Sequence, residues 1–194
     1  MYVGSVFVVH YENVRQMYYI CNNDTFRSIY FAYFHSIASY GIIFGGNSSY
    51  SKKIFTLEKR IIRIMVDAHP RTSCRRLFKK WEVLTVPSQY IYSLISFFIG
   101  NHEKFWTNSS VHNINTRNKH HLHRPVVNLA CFQKGAFYSG IRIFNSLPRS
   151  ITNLKNEKTQ FKVALKSFEM HTRFTLWMNF SRVQMICIAD CMTE

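Results

Sequence analysis

The sequence predicts a mainly α-helical fold, a small helical domain interrupted by one long basic loop. Three observations lead there. Apolar residues recur at three- and four-residue spacing in several separate stretches. Strand-like alternation is scarce, and no internal repeat is found. Proline and glycine signals (Gly45-Gly46, Pro70, Pro87, Pro148) fall between the periodic stretches. The 194 residues suffice for one domain with a sizeable core. Hydrophobic residues at 47% and charged residues at 18% exclude wholesale disorder.

Residues 1–23 are apolar and aromatic without a clear period and stay unplaced. Their opening, MYVGSVFVVHYENVR, has an apolar run but no basic leader and no cleavage site, so it does not read as a signal peptide. Asn22, Asn23 and Asp24 form a turn or helix cap. Residues 25–40 then read as a helix, with Phe26, Ile29, Tyr30, Tyr33, Phe34 and Ile37 on one face. Residues 41–47 break it.

Residues 51–81 are the centre of the chain's charge. They hold ten of the 25 basic residues, including Arg71, against two acids, Glu58 and Asp67. At about 100° per residue, Lys52, Lys53, Lys59, Arg60 and Arg63 share one helical face, and Ile54, Leu57, Ile61, Ile64 and Met65 fall opposite. Pro70 is expected to end this helix. Ser73 is expected to cap a second, 74–84, with Arg75, Arg76, Lys79 and Lys80 outward and Leu77, Phe78, Trp81 and Leu84 inward. Such a pair can rest on a core and present positive charge to a polyanion; a solvated helical face gives the same pattern.

Pro87 sits where a first helical turn tolerates it, and Tyr90, Leu94, Phe97 and Phe98 give the next buried stripe. Residues 101–125, NHEKFWTNSSVHNINTRNKHHLHRP, read as a long basic surface loop carrying Arg117, Lys119 and Arg124, with room for a short strand. Residues 133–147 form another helix with Phe137, Ile141 and Phe144, stopped by Pro148. Residues 156–167 form a last one, with Phe161, Ala164, Leu165 and Phe168 inward and Lys158, Lys162 and Lys166 outward. Weak patterning makes both ends of the chain candidates for poor order.

The net charge of +15 and pI of about 9.8 point to nucleic acid first and an anionic membrane surface second. Aromatic residues, 16% of the chain, supply core and some rings able to stack on bases. The cysteines at 21, 74, 131, 187 and 191 are odd in number and include no Cys-x-x-Cys. That disfavours a disulfide framework or structural zinc and suggests a reducing, intracellular setting, nuclear or cytoplasmic. The apolar stretch 83–100 is broken by Pro87, Ser88 and Gln89, so no membrane span is expected. His112, His120, His121 and His123 lack the ligand spacing of zinc sites and extend a basic surface instead. No Gly-x-Ser-x-Gly or phosphate loop occurs. The ten carboxylates form no group able to hold two cations. No catalytic residue, metal or cofactor is assigned. Ile188-Ala189-Asp190-Cys191 resembles half of a polymerase Ala-Asp-Asp turn but lacks the second Asp.

Residues 40–48, YGIIFGGNS, resemble the Tyr-Gly-Ile-Ile-Phe-Trp-Gly-Asn-Ser segment of jockey-type non-LTR retrotransposon reverse transcriptases. The likeness continues through SKKIFTLEKRIIRIM, HPRTSCRRLFKKWEVL, TNSSVHNINTRNKHHLHRP, CFQKGAFYSGIRIFNSLP and FKVALK, covering about 24 to 166. Thr116-Arg117 and Asn145-Ser146-Leu147-Pro148 stand in the family's order and spacing. The resemblance implies the C-terminal piece of an RNA-directed DNA polymerase, after its palm, in the thumb and beyond. The polymerase aspartates match no position here, so the chain as it stands is not expected to be an enzyme. The implied partners are RNA or a DNA–RNA duplex, held electrostatically, and the missing polymerase core. A decayed fragment without function and a basic amphipathic interaction module remain as alternatives.

Three departures follow. Gly45 stands where the family has Trp, which implies a lost buried side chain and a cost of about 3–5 kcal/mol. Trp81 stands where it has Leu, which implies overpacking if the site is buried. The family ends near Tyr-Ser-Val-Asp-Glu-Phe. Its codons read one nucleotide later encode Thr-Leu-Trp-Met-Asn-Phe, which is residues 175–180 here. The resemblance thus implies that 167–194 is frame-shifted translation. The coding sequence tests this: if no one-nucleotide slip restores the family ending, the idea fails.

Overall fold

The computed structural model describes residues 3–17, 20, 22–113 and 115–172. Helix α1 (Val3–Met17) opens the chain, packs on α5 and brings Val14, Tyr11 and Met17 to a shared hydrophobic cluster, so most of the unplaced N-terminal segment is helical. Asn22 caps α2 (Asn23–Ile29), accepting from the Thr25 N–H at 2.9 Å as the polar triplet predicts. The helix continues as a π-helical stretch (Tyr30–His35) and α3 (Ser36–Ser39). Phe26, Tyr30 and Phe34 are buried, whereas Tyr33 is exposed, because the π turn rotates the expected face. Gly41, at φ +65°, ends it, and α4 (Ile42–Gly45) follows.

The basic pair is α5 (Tyr50–Met65) and α6 (Cys74–Lys80). Both are shorter than expected. α5 stops before Pro70, where Asp67 turns left-handed at φ +50°. α6 stops before Glu82, at φ +52°, and its Ser73 makes no side-chain cap. α7 (Val86–Gly100) is capped by Thr85, which accepts from the Ser88 N–H, and carries Pro87 in its first turn. Tyr90, Leu94 and Phe98 are buried as expected, together with Ile91, Ile95 and Ile99. Phe97 is not; it is 48% exposed.

Residues 101–125 are more structured than a plain loop. They contain a 3₁₀ turn (His102–Lys104), α8 (Asn108–His112) with a Thr107 and Ser110 capping box, and one antiparallel bridge, Thr107–Leu122. That bridge is the nearest thing to a strand among the described residues. A short α9 (Ala130–Gln133) comes first, and the helix expected over 133–147 starts later, as α10 (Ala136–Ser146), because Gly135 stands extended at its N-cap. Pro148 ends α10 and opens α11 (Arg149–Thr152), followed by a 3₁₀ turn (Asn153–Asn156). α12 (Lys158–Thr172) places Phe161 and Leu165 in the core with Lys158, Lys162 and Lys166 outward. It runs through residues 167–172 and buries Glu169. Residues 173–194, including Ile188–Cys191 and most of the segment read as frame-shifted, lie outside the described residues.

Two hydrophobic clusters organise the molecule. The first joins α1, α2, the π stretch, α5 and α6 around Tyr30, Phe34, Ile61, Ile62 and Phe78. The second surrounds α7 with α4, α10, α11 and α12. α7 belongs to both, through Val86 in the first and Leu94, Ile95 and Phe98 in the second. Close packing against α7 needs two glycines. A Cβ on Gly46 would collide with the Tyr90 ring, and one on Gly140 with the Phe98 ring. Gly45 corrects an expectation: it is exposed and a Cβ there meets open space, so no packed core is emptied by lacking Trp. Trp81 is half-buried against the first cluster, and its buried indole N–H finds no acceptor among the described residues.

Candidate nucleic-acid interface

The basic face begins with which residues α5 can bury. Phe55, Glu58, Ile61, Ile62 and Met65 recur at three and four residues and turn inward. Ile54, Leu57 and Ile64, expected on that side, are half-buried at its margin. The outward arc is then left to Lys52, Lys53 and Arg60, which are exposed, and to Lys59 and Arg63, which are half-buried. Lys53 Nζ stands 5.2 Å from the Tyr50 ring centre and Lys59 Nζ 4.6 Å from that of Phe55. The Arg63 Nε–H donates to the Thr72 carbonyl at 2.9 Å and ties the 66–73 turn back onto α5. On α6, Arg75, Arg76, Lys79 and Lys80 are all exposed, while Cys74 and Phe78 point inward. Burial pushes the Cys74 thiol up, so it is a packing residue rather than a reactive one.

Between the two helices lies a cleft of about 370 Å³, floored by Phe55, Cys74 and Phe78 and flanked by Lys59, Arg63 and Arg75.

Glu58 is the residue that sequence reasoning misjudged. It counts as a balancing acid in the stretch, yet it is only 1% exposed. The Tyr30 hydroxyl lies 3.1 Å from its Oε1, and the Val86 N–H donates to its Oε2 at 2.9 Å. Burial raises its carboxyl to about 8, against smaller opposing effects of the Val86 and Tyr30 hydrogen bonds and the Lys59 charge. At neutral pH it is mainly protonated and cancels little of its neighbours' charge. Of the two acids in 51–81, Asp67 alone is left as an exposed charge. The signal was available: Glu58 sits on the 55, 58, 62, 65 stripe, the apolar face.

The loop cations go elsewhere. Arg117 is exposed on the 117–120 turn and lines a separate cavity with Arg149 and Lys155 of the second half. Lys119 is half-buried, and its carbonyl accepts from the Ser109 N–H at 3.1 Å. The Arg124 guanidinium stands 5.6 Å from the Tyr138 ring centre. The structure therefore brings Lys59, Arg63 and Arg75 to one cleft, leaves the other six cations of α5 and α6 exposed on the same two helices, and places the three loop cations elsewhere.

Among the described residues, no three or more of His, Cys, Asp and Glu converge to hold a metal ion. The His112 and His123 rings pack edge to face at 5.0 Å. Cys74 and Cys131 are free thiols. No helix of the described residues is long and apolar enough to cross a membrane. Comparison with family models, curated proteins and solved structures finds no match.

Proposed function

We propose that the chain is the C-terminal part of a jockey-type non-LTR retrotransposon reverse transcriptase, without polymerase activity of its own, that holds nucleic acid through α5 and α6. The ordered resemblance over about 24 to 166 supports the ancestry. The observation that carries the binding role is the collection of nine cations on one helix pair beside a carboxyl that burial keeps protonated. Lys52, Lys53, Lys59, Arg60 and Arg63, with Arg75, Arg76, Lys79 and Lys80, contact phosphates. Such contacts give affinity and salt dependence with little sequence preference. Arg117, Lys119 and Arg124, set apart from the helix pair, are secondary contacts in this reading.

The partner is RNA or a DNA–RNA duplex, and apolar surface elsewhere can rest on the polymerase core. The test is filter or anisotropy binding of the full chain to a short RNA and a matching DNA–RNA duplex across a salt series. Binding that weakens steeply with salt supports the reading; affinity indifferent to salt contradicts it.

A further inference from the structure

Apart from the basic helix pair, the structure holds a larger cavity of about 630 Å³. Its floor is apolar and largely aromatic, formed by Phe98 and Ile99 of α7, Phe105, and Phe144 and Leu147 at the end of α10. Its rim carries Arg117, Arg149 and Lys155, with His102, His120 and His121 beside them. No Asp or Glu lines it. Arg117 of the 117–120 turn and Asn145 and Leu147 at the end of α10 thus meet at one hollow.

The wall of this cavity is pinned. The Asn145 side chain accepts from the Leu122 N–H and donates to the Leu122 carbonyl, both at 2.9 Å. Leu122 also pairs with Thr107, and the His123 N–H donates to the Trp106 carbonyl at 2.8 Å. Phe105 stacks on Phe98 with ring centres 4.2 Å apart and planes 20° from parallel. The hollow is therefore largely formed before any ligand arrives, which lowers the ordering cost of binding.

We propose that this cavity binds a nucleoside phosphate, with the base resting on the apolar floor beside the partly exposed Phe105, under which Phe98 and Phe144 are buried, and the phosphate against Arg117, Arg149 and Lys155. Each half of the lining excludes a simpler ligand. An inorganic anion has no use for an aromatic floor of this size, and a neutral aromatic molecule has no use for three cations without a carboxylate among them. Guanidinium groups match phosphate oxygens in pairs, and an apolar floor takes the flat, poorly hydrated body of any base. The cavity volume falls in the range of about 300–1,000 Å³ common for small-ligand sites. The ligand is either a free nucleotide or one unstacked nucleotide of a single strand; the chemistry is shared. This goes beyond the α5–α6 grip, and neither requires the other.

The test is calorimetric titration of the full chain with AMP, adenosine, inorganic phosphate and a short single-stranded oligoadenylate. AMP should bind more tightly than adenosine or phosphate. Arg149→Ala and Lys155→Ala, both at exposed positions, should each weaken AMP binding by about tenfold, the loss of one charge-assisted contact, with circular dichroism unchanged. The Lys59→Glu, Arg60→Glu, Arg63→Glu triple variant should bind AMP as the wild type does. Oligoadenylate bound at least as sensitively to Arg149→Ala as AMP identifies a strand nucleotide; sensitivity confined to AMP identifies a free one, and both support the site. Absent AMP binding, equal binding of AMP and phosphate, or an equal loss in the α5 triple variant would overturn it. RNA binding indifferent to the α5 triple variant would instead count only against the α5–α6 reading.

Discussion

The α5–α6 face and the Phe98–Phe105 cavity both gather cations, but they use them differently. The first spreads nine over a helix pair, seven of them exposed, an arrangement suited to separate phosphates of a long polyanion. The second sets three around an apolar hollow, where they are proposed to act together on one ligand. The cores below differ too. Beneath the basic face lies a buried carboxyl, Glu58, whereas the cavity rests on α7 and α10 packed through glycine and rings. The first half therefore carries the stronger pH response, through Glu58, and the second the tighter constraint on volume, through Gly140.

The largest expected effect sharpens this contrast through Glu58. Its folded-state carboxyl near 8 stands above the ordinary 4.5, so the folded chain holds a proton that the unfolded chain releases. Stability is then greatest below about 4.5 and falls as pH rises through 8, by an upper bound of roughly 5 kcal/mol. Glu169, raised to about 7 by burial, adds a slope of the same sign. Glu58→Gln fits the protonated geometry, its amide N–H₂ towards Tyr30 and its carbonyl towards the Val86 N–H. Denaturant unfolding from pH 5 to 9 should show a shallower decline in Glu58→Gln than in the wild type. An unchanged slope would mean Glu58 is ionised in the folded chain.

Next comes charge itself. Reversing Lys59, Arg60 and Arg63 together should weaken RNA binding by about a hundredfold at low salt and make the plot of log affinity against log salt shallower by roughly 2 to 3. A smaller loss than that from Arg149→Ala would invert the comparison between the two regions. In the second half, Gly140→Ala drives a methyl into the Phe98 ring and should cost about 2 kcal/mol of stability at every pH. A tolerated alanine would show that α7 and α10 can separate. The smallest effect concerns Trp81. Trp81→Leu removes a buried N–H without an acceptor and should raise stability by about 1 kcal/mol, read from the denaturation midpoint.

Helix periodicity made most of this fold legible. Phe26, Tyr30 and Phe34, then Leu94 and Phe98, then Phe161 and Leu165 are buried where the three- and four-residue spacing puts them. The errors have local causes. The π turn at Tyr30–His35 exposes Tyr33, and no sequence period announces an extra residue per turn. α5 and α6 end on left-handed Asp67 and Glu82, residues without a strong stop signal, rather than at Pro70 or Leu84. The resemblance, with Trp at the position of Gly45, implies an emptied core position there; the structure leaves Gly45 and its neighbour Phe44 exposed, a placement that no periodic pattern in this short turn reports. The basic face was visible from charge and spacing alone. The cavity was not, because it depends on Asn145 reaching Leu122 across 23 residues, and no periodic pattern reports a contact of that kind.

The most direct measurement is the salt dependence of binding between the full chain and a short RNA, set beside the Lys59→Glu, Arg60→Glu, Arg63→Glu variant. Affinity should fall steeply from about 50 to 200 mM salt, as phosphate-dominated complexes do, and the variant should be both weaker and less salt-sensitive. A folded wild-type chain whose RNA affinity is flat with salt, or equal to that of the variant, would contradict the claim that α5 and α6 form a nucleic-acid grip.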